Sequence, residues 1–130
     1  MKLHHIGVAV RDLDEAIARH LRLGLKLAHR EKVASQNVEV AFVGERPWIE
    51  LLASTSPDSS VAKFLDKRGP GQHHLAFAVP SIIEELARQE HSGAKLVDQA
   101  PRLGAWGHHV AFLHPKDQGG VLIELVEEAQ

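Results

Sequence analysis

The chain says one thing twice, and that repetition limits what it can fold into. His5-Ile6-Gly7-Val8-Ala9-Val10 returns as His74-Leu75-Ala76-Phe77-Ala78-Val79. Gly24-Leu25-Lys26-Leu27 returns as Gly93-Ala94-Lys95-Leu96, and Val40-Ala41-Phe42-Val43 as Val110-Ala111-Phe112-Leu113. Ile49-Glu50-Leu51-Leu52 returns as Ile123-Glu124-Leu125-Val126. The offset holds to within a residue through the first three blocks and widens only across the turn HPKDQGG, where insertion costs least. Matches in one order at one spacing define a tandem duplication, and a repeat of about 60 residues is too short to build a large core alone.

Each copy reads β-α-β-β-β. Residues 3–10 alternate β-branched positions and stop at Arg11-Asp12. Asp12 with Glu15 has the form of a capping box opening a helix, whose apolar stripe is Leu13, Ala16, Ile17 and Leu21. Strands are expected at 25–30, 37–43 and 48–53. STSPDSS, residues 54–60, is the one linker-like stretch. A short helix at 59–67 leads into the second copy. That copy is expected to run as a strand at 73–79, a helix at 81–91, and strands at 94–97, 107–114 and 120–126. The organisation is therefore module 1 over about 1–56, a linker helix over about 57–70 and module 2 over about 71–128, within one α+β domain spanning 1–130.

The repetition singles out four polar residues. His5 and His74 open the first strand of each copy, and Glu50 and Glu124 sit inside the last. Neighbours in a strand point to opposite faces, so Glu50 shares a face with Trp48 and Leu52, and Glu124 with Leu122 and Val126. Neither face of either strand is plainly wet, and an uncompensated buried carboxylate costs several kcal/mol or more. A lone histidine at a strand start is ordinarily a polar edge residue, and a lone glutamate in a strand is ordinarily solvated or ion-paired. Delivered twice by duplication, the set His5, Glu50, His74 and Glu124 points to one divalent metal among Co, Ni, Mn, Zn and Fe. His4 and His73 should point to the opposite face, and His108, His109 and His114 fall outside the set.

Bulk properties exclude other classes. The formal charge of −2, from 15 basic and 17 acidic residues, gives no electrostatic case for nucleic acid or an anionic membrane. Without cysteine there is no disulfide, thiolate nucleophile or Cys-based zinc site. The apolar runs are far shorter than the roughly 20 residues of a membrane span. His4 and His5 interrupt any apolar leader segment, so a cytoplasmic location is expected. No Walker pattern is present for a phosphate-bearing ligand.

The blocks HHIGVAVRDLDEAI, IELLASTSPDSSVAKFLDKRGPGQHHLAFAV and RLGAWGHHVAFLHPKDQGGVLIEL resemble the vicinal oxygen chelate superfamily, also called the glyoxalase/bleomycin-resistance/dioxygenase group. Within it they are similar to the methylmalonyl-CoA epimerase family, SPDSSVAKFL and FLHPKDQGGVLIEL being the most diagnostic. The resemblance covers nearly the whole chain. It implies two βαβββ modules forming a half-open mixed sheet around a metal held by His5, His74, Glu124 and a fourth ligand at Glu50, where epimerases carry Gln or Glu. It also implies a small acyl-CoA substrate and a homodimer. Lys63, Lys67, Arg68 and Lys116 are candidate phosphate contacts, although such residues are more often solvated charges.

The implied reaction interconverts (2R)- and (2S)-methylmalonyl-CoA through an enolate, with the metal as Lewis acid and two carboxylates exchanging roles as acid and base. Glu124 is the first expected base, with Glu39 or Glu50 as its partner. Glu39 falls where some epimerases have a catalytic glutamate; its bland reading is an exposed strand carboxylate. One alternative is a glyoxalase I-type lactoylglutathione lyase, which resembles the chain in fold and in a His/Glu/His/Glu metal set. The other is a non-catalytic binding protein of the bleomycin-resistance type, which usually lacks the metal residues.

Overall fold

Alternating strands with one apolar face need a helix to cover that face, and each copy supplies one. The computed structural model describes all residues from Met1 to Gln130. The chain divides into two compact units: a first unit, His5–His73, and a second, Met1–His4 with His74–Gln130.

The first unit is built from β1 (Lys2–Ala9, from His5 onward), α1 (Leu13–Arg22), β2 (Leu27–Val33), β3 (Val38–Val43), β4 (Trp48–Ser54) and α2 (Ser60–Arg68). β1 runs parallel to β4, β4 antiparallel to β3, and β3 antiparallel to β2. One face carries Ala41, Val43, Leu51 and Ala53, with Val8 and Ile49, and packs on Leu13, Ala16 and Ile17 of α1. Leu21, expected on the same helical stripe, is exposed; the buried stripe is confined to the first turns. Asp12 caps the helix as its spacing predicts, accepting the Glu15 N–H at 3.0 Å. Gly24 then leaves it in the left-handed region at φ +94°, as Gly93 does after the corresponding helix of the second unit at φ +100°.

The second unit contains β5 (Gly71–Ala78, from His74 onward), α3 (Ile82–His91), β6 (Arg102–Leu103), β7 (His109–Leu113) and β8 (Ile123–Glu127). β5 runs parallel to β8, β8 antiparallel to β7, and β7 antiparallel to β6. Ala111, Leu113 and Leu125 pack on Ile82 and Leu86 of α3, with Val79 and Leu96. Ser81 caps α3, accepting the Glu84 N–H, and Glu127 accepts the Ile82 N–H at 2.9 Å.

The strand expected at 94–97 does not form. Only an isolated bridge joins Leu96 to Leu113. Asp98 intervenes, its carboxylate accepting the Phe112 N–H at 2.8 Å in place of a backbone carbonyl. Pro101, which has no N–H to donate, follows before pairing resumes over the two residues of β6. The remaining strands and helices lie where the repeat puts them, with ends shifted by a few residues. No helix is long and apolar enough to cross a membrane.

Candidate metal and proton-transfer site

In the first unit, β1 and β4 lie side by side with Gly7 opposite Glu50 and His5 opposite Trp48. Residues opposite one another share a face, so His5 and Glu50 lie on the face away from α1. Glycine at position 7 leaves the glutamate room to turn toward the histidine. His5 Nε2 stands 3.1 Å from Glu50 Oε1. Both residues are buried. The Phe42 ring meets the His5 imidazole edge-to-face at 5.3 Å between centroids and fixes its plane.

The second unit repeats this arrangement. Ala76, another small residue, lies opposite Glu124, and Phe112 faces Glu124 from β7. His74 Nε2 is 2.9 Å from Glu124 Oε1, and both residues are buried. Phe112, the counterpart of Phe42, meets the His74 ring edge-to-face at 5.6 Å. Each unit thus presents a buried pair made of one imidazole nitrogen and one carboxylate oxygen, each pair braced by an aromatic ring.

The chemistry of these donors fits a cation. A carboxylate and an imidazole this close in an apolar setting can share the imidazole's own N–H proton or can together ligate a cation. Imidazole with carboxylate is a donor combination used by first-row divalent metals.

Glu39 is not on this face. It lies opposite Ala53 in the ladder and so points to the side covered by α1. There it accepts from Arg30 Nε at 3.0 Å, while Arg30 Nη1 donates to Asp14 of α1 at 2.7 Å. The two carboxylates hold the Arg30 guanidinium above its ordinary pKa, chiefly through the hydrogen bond to Asp14. Glu39 is therefore an ion-paired strand carboxylate.

The structure brings a different acid forward. Glu31 lies opposite Val40, and His29 opposite Phe42, which places both on the face of His5 and Glu50. His29 Nε2 meets Glu31 Oε1 at 2.7 Å, both side chains half-buried. The sequence signal was the alternation His29-Arg30-Glu31, two polar groups on one strand face; it was hidden because the strand was expected to stop at residue 30. In the second unit the matching place holds Arg102, opposite Val110, which is the repeat partner of Val40. Its guanidinium lies 5.9 Å from the Phe112 ring centroid and 3.6 Å from Asp98 Oδ1.

Other histidines gather elsewhere. His4, His108 and Glu128, all in the second unit, bring potential ligand atoms within 4.8 Å of one another. His4 is fully buried, with Trp106 and His108 edge-on to its ring. His108 Nδ1 accepts the Ala129 N–H at 2.8 Å, so its proton sits on Nε2, which then donates rather than ligates. Lys63, Lys67, Arg68 and Lys116 are all exposed, and Arg68 lies over the Phe64 ring.

The fold and the paired histidines and glutamates define a class, and comparison with known proteins agrees. The chain belongs to the glyoxalase/bleomycin resistance protein/dioxygenase superfamily, whose family model matches residues 4–112. Its relatives within that superfamily include methylmalonyl-CoA epimerases. It is 35% identical over 128 residues to the ethylmalonyl-CoA/methylmalonyl-CoA epimerase of Cereibacter sphaeroides, covering 95% of this chain and 96% of the relative. The crystal structure of methylmalonyl-CoA epimerase from Mycobacterium tuberculosis superposes with a TM-score of 0.94 at 42% identity, covering 99% of this chain and 89% of the other. A methylmalonyl-CoA epimerase in complex with methylmalonyl-CoA and NH4+ matches with a TM-score of 0.93 at 34% identity, covering 98% and 94%.

Proposed function

We propose that this chain is a metal-dependent epimerase of methylmalonyl-CoA. The observation that carries the reading is the duplicated pair: His5 with Glu50 and His74 with Glu124, buried and each braced by a phenylalanine, in a chain whose relatives include epimerases. In this reading the two pairs hold one divalent cation between them. When bound, the cation supplies Lewis-acid stabilisation of the negative charge that develops on the thioester oxygen.

The remaining chemistry belongs to the chain. The carbon to be inverted lies between a thioester carbonyl and a carboxylate, so losing its proton gives a planar enolate. Inversion requires a proton to leave one side and another to arrive on the other. Glu124 serves one side. The other falls to Glu31, which shares its face with His5 and Glu50; Glu39 is turned away and paired with Arg30. His5, Glu50 and His74 orient the site and exchange no protons with substrate. The apolar neighbours Phe42, Leu52, Phe112 and Val126 limit water and so strengthen each charge interaction. A homodimer, implied by the family resemblance, belongs to the same reading, and a cytoplasmic location is proposed with it.

Incubation with (2R)-methylmalonyl-CoA in deuterated water tests the reading. The expected result is a mixture of both epimers labelled at C2, with activity lost on chelation and restored by a divalent metal. Turnover of a glutathione hemithioacetal without label at methylmalonyl C2 would instead identify a lyase. Neither activity, together with no metal in protein purified without a histidine tag, would identify a binding protein.

A further inference from the structure

We infer that His29 is a positioning residue that holds Glu31 in place and passes its proton to bulk water, so that one side of the substrate exchanges with solvent on every turnover. The inference rests on the proposed epimerase chemistry and deepens it.

The geometry is specific. His29 and Glu31 are two apart on β2, so their side chains project from the same face, and the register of β2 with β3 makes that the face of His5 and Glu50. His29 Nε2 and Glu31 Oε1 are 2.7 Å apart, close enough for direct proton transfer. Their side chains are 27% and 33% exposed, so the dyad sits at the boundary between the buried pair and solvent. The Phe42 ring, 6.4 Å from His29 and 5.3 Å from His5 between centroids, has one imidazole as a brace for a ligand and the other beside the acid.

The protons balance as follows. The substrate C2–H bond breaks, its electron pair enters the enolate, and Glu31 gains an O–H. At rest Glu31 is a carboxylate accepting from His29 Nε2–H. Once Glu31 is protonated, the imidazole gives its Nε2 proton to water and takes one from water on Nδ1. It then accepts the Glu31 proton at Nε2 and releases the Nδ1 proton to water, which restores the resting pair. The reverse sequence delivers a solvent proton to Glu31 and then to C2. A carboxylate alone beneath a bound acyl-CoA would return the proton it took; one coupled to an imidazole at the rim loses that memory. No redox partner or additional group is needed.

The measurement is a ratio. Each pure epimer of methylmalonyl-CoA is incubated with the metal-loaded protein in deuterated water. Label at C2 of recovered, unepimerised substrate is divided by the extent of epimerisation. For the epimer whose proton goes to Glu31, the wild-type ratio should be near one or above it. His29→Asn, which keeps a hydrogen-bond donor but cannot relay, should lower the ratio about fivefold or more whatever the total activity, and added imidazole should restore it. His29→Gln provides a second variant should the first fold poorly by thermal melting. An unchanged ratio in a folded, active variant overturns the relay. Wild-type protein that neither epimerises nor exchanges overturns the epimerase reading itself.

Discussion

The two units share an ancestor and differ at one place that matters. Both carry a buried histidine–glutamate pair with a small residue opposite the glutamate and a phenylalanine edge-on to the imidazole. Beyond the pair they part. The first unit continues into the full strand β2, which offers Glu31 with His29. The second is interrupted by Asp98 and offers Arg102 in the matching position. Duplication supplied two equivalent histidine–glutamate pairs, and divergence put Glu31 on the strand face of one and Arg102 at the matching position of the other.

The largest expected effect separates the two glutamates. Glu124→Gln should lower kcat about 1000-fold, because it removes a proton acceptor even though an amide oxygen remains to ligate, whereas Glu50→Gln, which alters a ligand alone, should cost about tenfold. Steady-state kinetics with metal analysis on both variants checks this; equal losses would mean the halves are still equivalent. Next, Glu31→Gln should lower kcat about 100-fold with little change in KM, while Glu39→Gln stays within about twofold. The opposite ranking would return the base to Glu39 and break the assignment by register.

A third comparison concerns the cores. Leu51 and Leu125 are both fully buried in equivalent clusters beneath α1 and α3. Each Leu→Ala change should cost about 2–5 kcal/mol, similar in the two units, as read from urea unfolding. The smallest effect is at the helix starts. Asp12→Ala should cost about 1 kcal/mol, and Ser81→Ala about half of that, because Glu127 also serves the first turn of α3. Equal cap losses would show that the Glu127 contact contributes little.

Much of this was legible before any coordinates. Repetition located both pairs, because a polar residue that recurs in apolar surroundings has a reason beyond local propensity. The cap at Asp12 followed from a side chain that bonds to nearby backbone, a rule needing only adjacent residues. What stayed hidden depends on partners distant in sequence. Glu39 and Glu31 have similar strand contexts, and only the register of β2 on β3 on β4 tells which face each takes. A one-residue difference in where a strand is placed exchanges the faces. The loss of the strand at 94–97 was equally invisible, since it follows from the Asp98 side chain reaching the Phe112 backbone.

That aspartate also bears on the strand edge the second unit exposes. By ending the ladder early it leaves β6 only two residues long, too short for a foreign chain to zip onto. At the far side of the first unit, β2 is longer but studded with Arg30 and Lys32, charges that a docking strand would have to strip of water. A mutation that let residues 94–103 become one continuous extended segment would be expected to raise catalytic yield little and fibril formation a great deal.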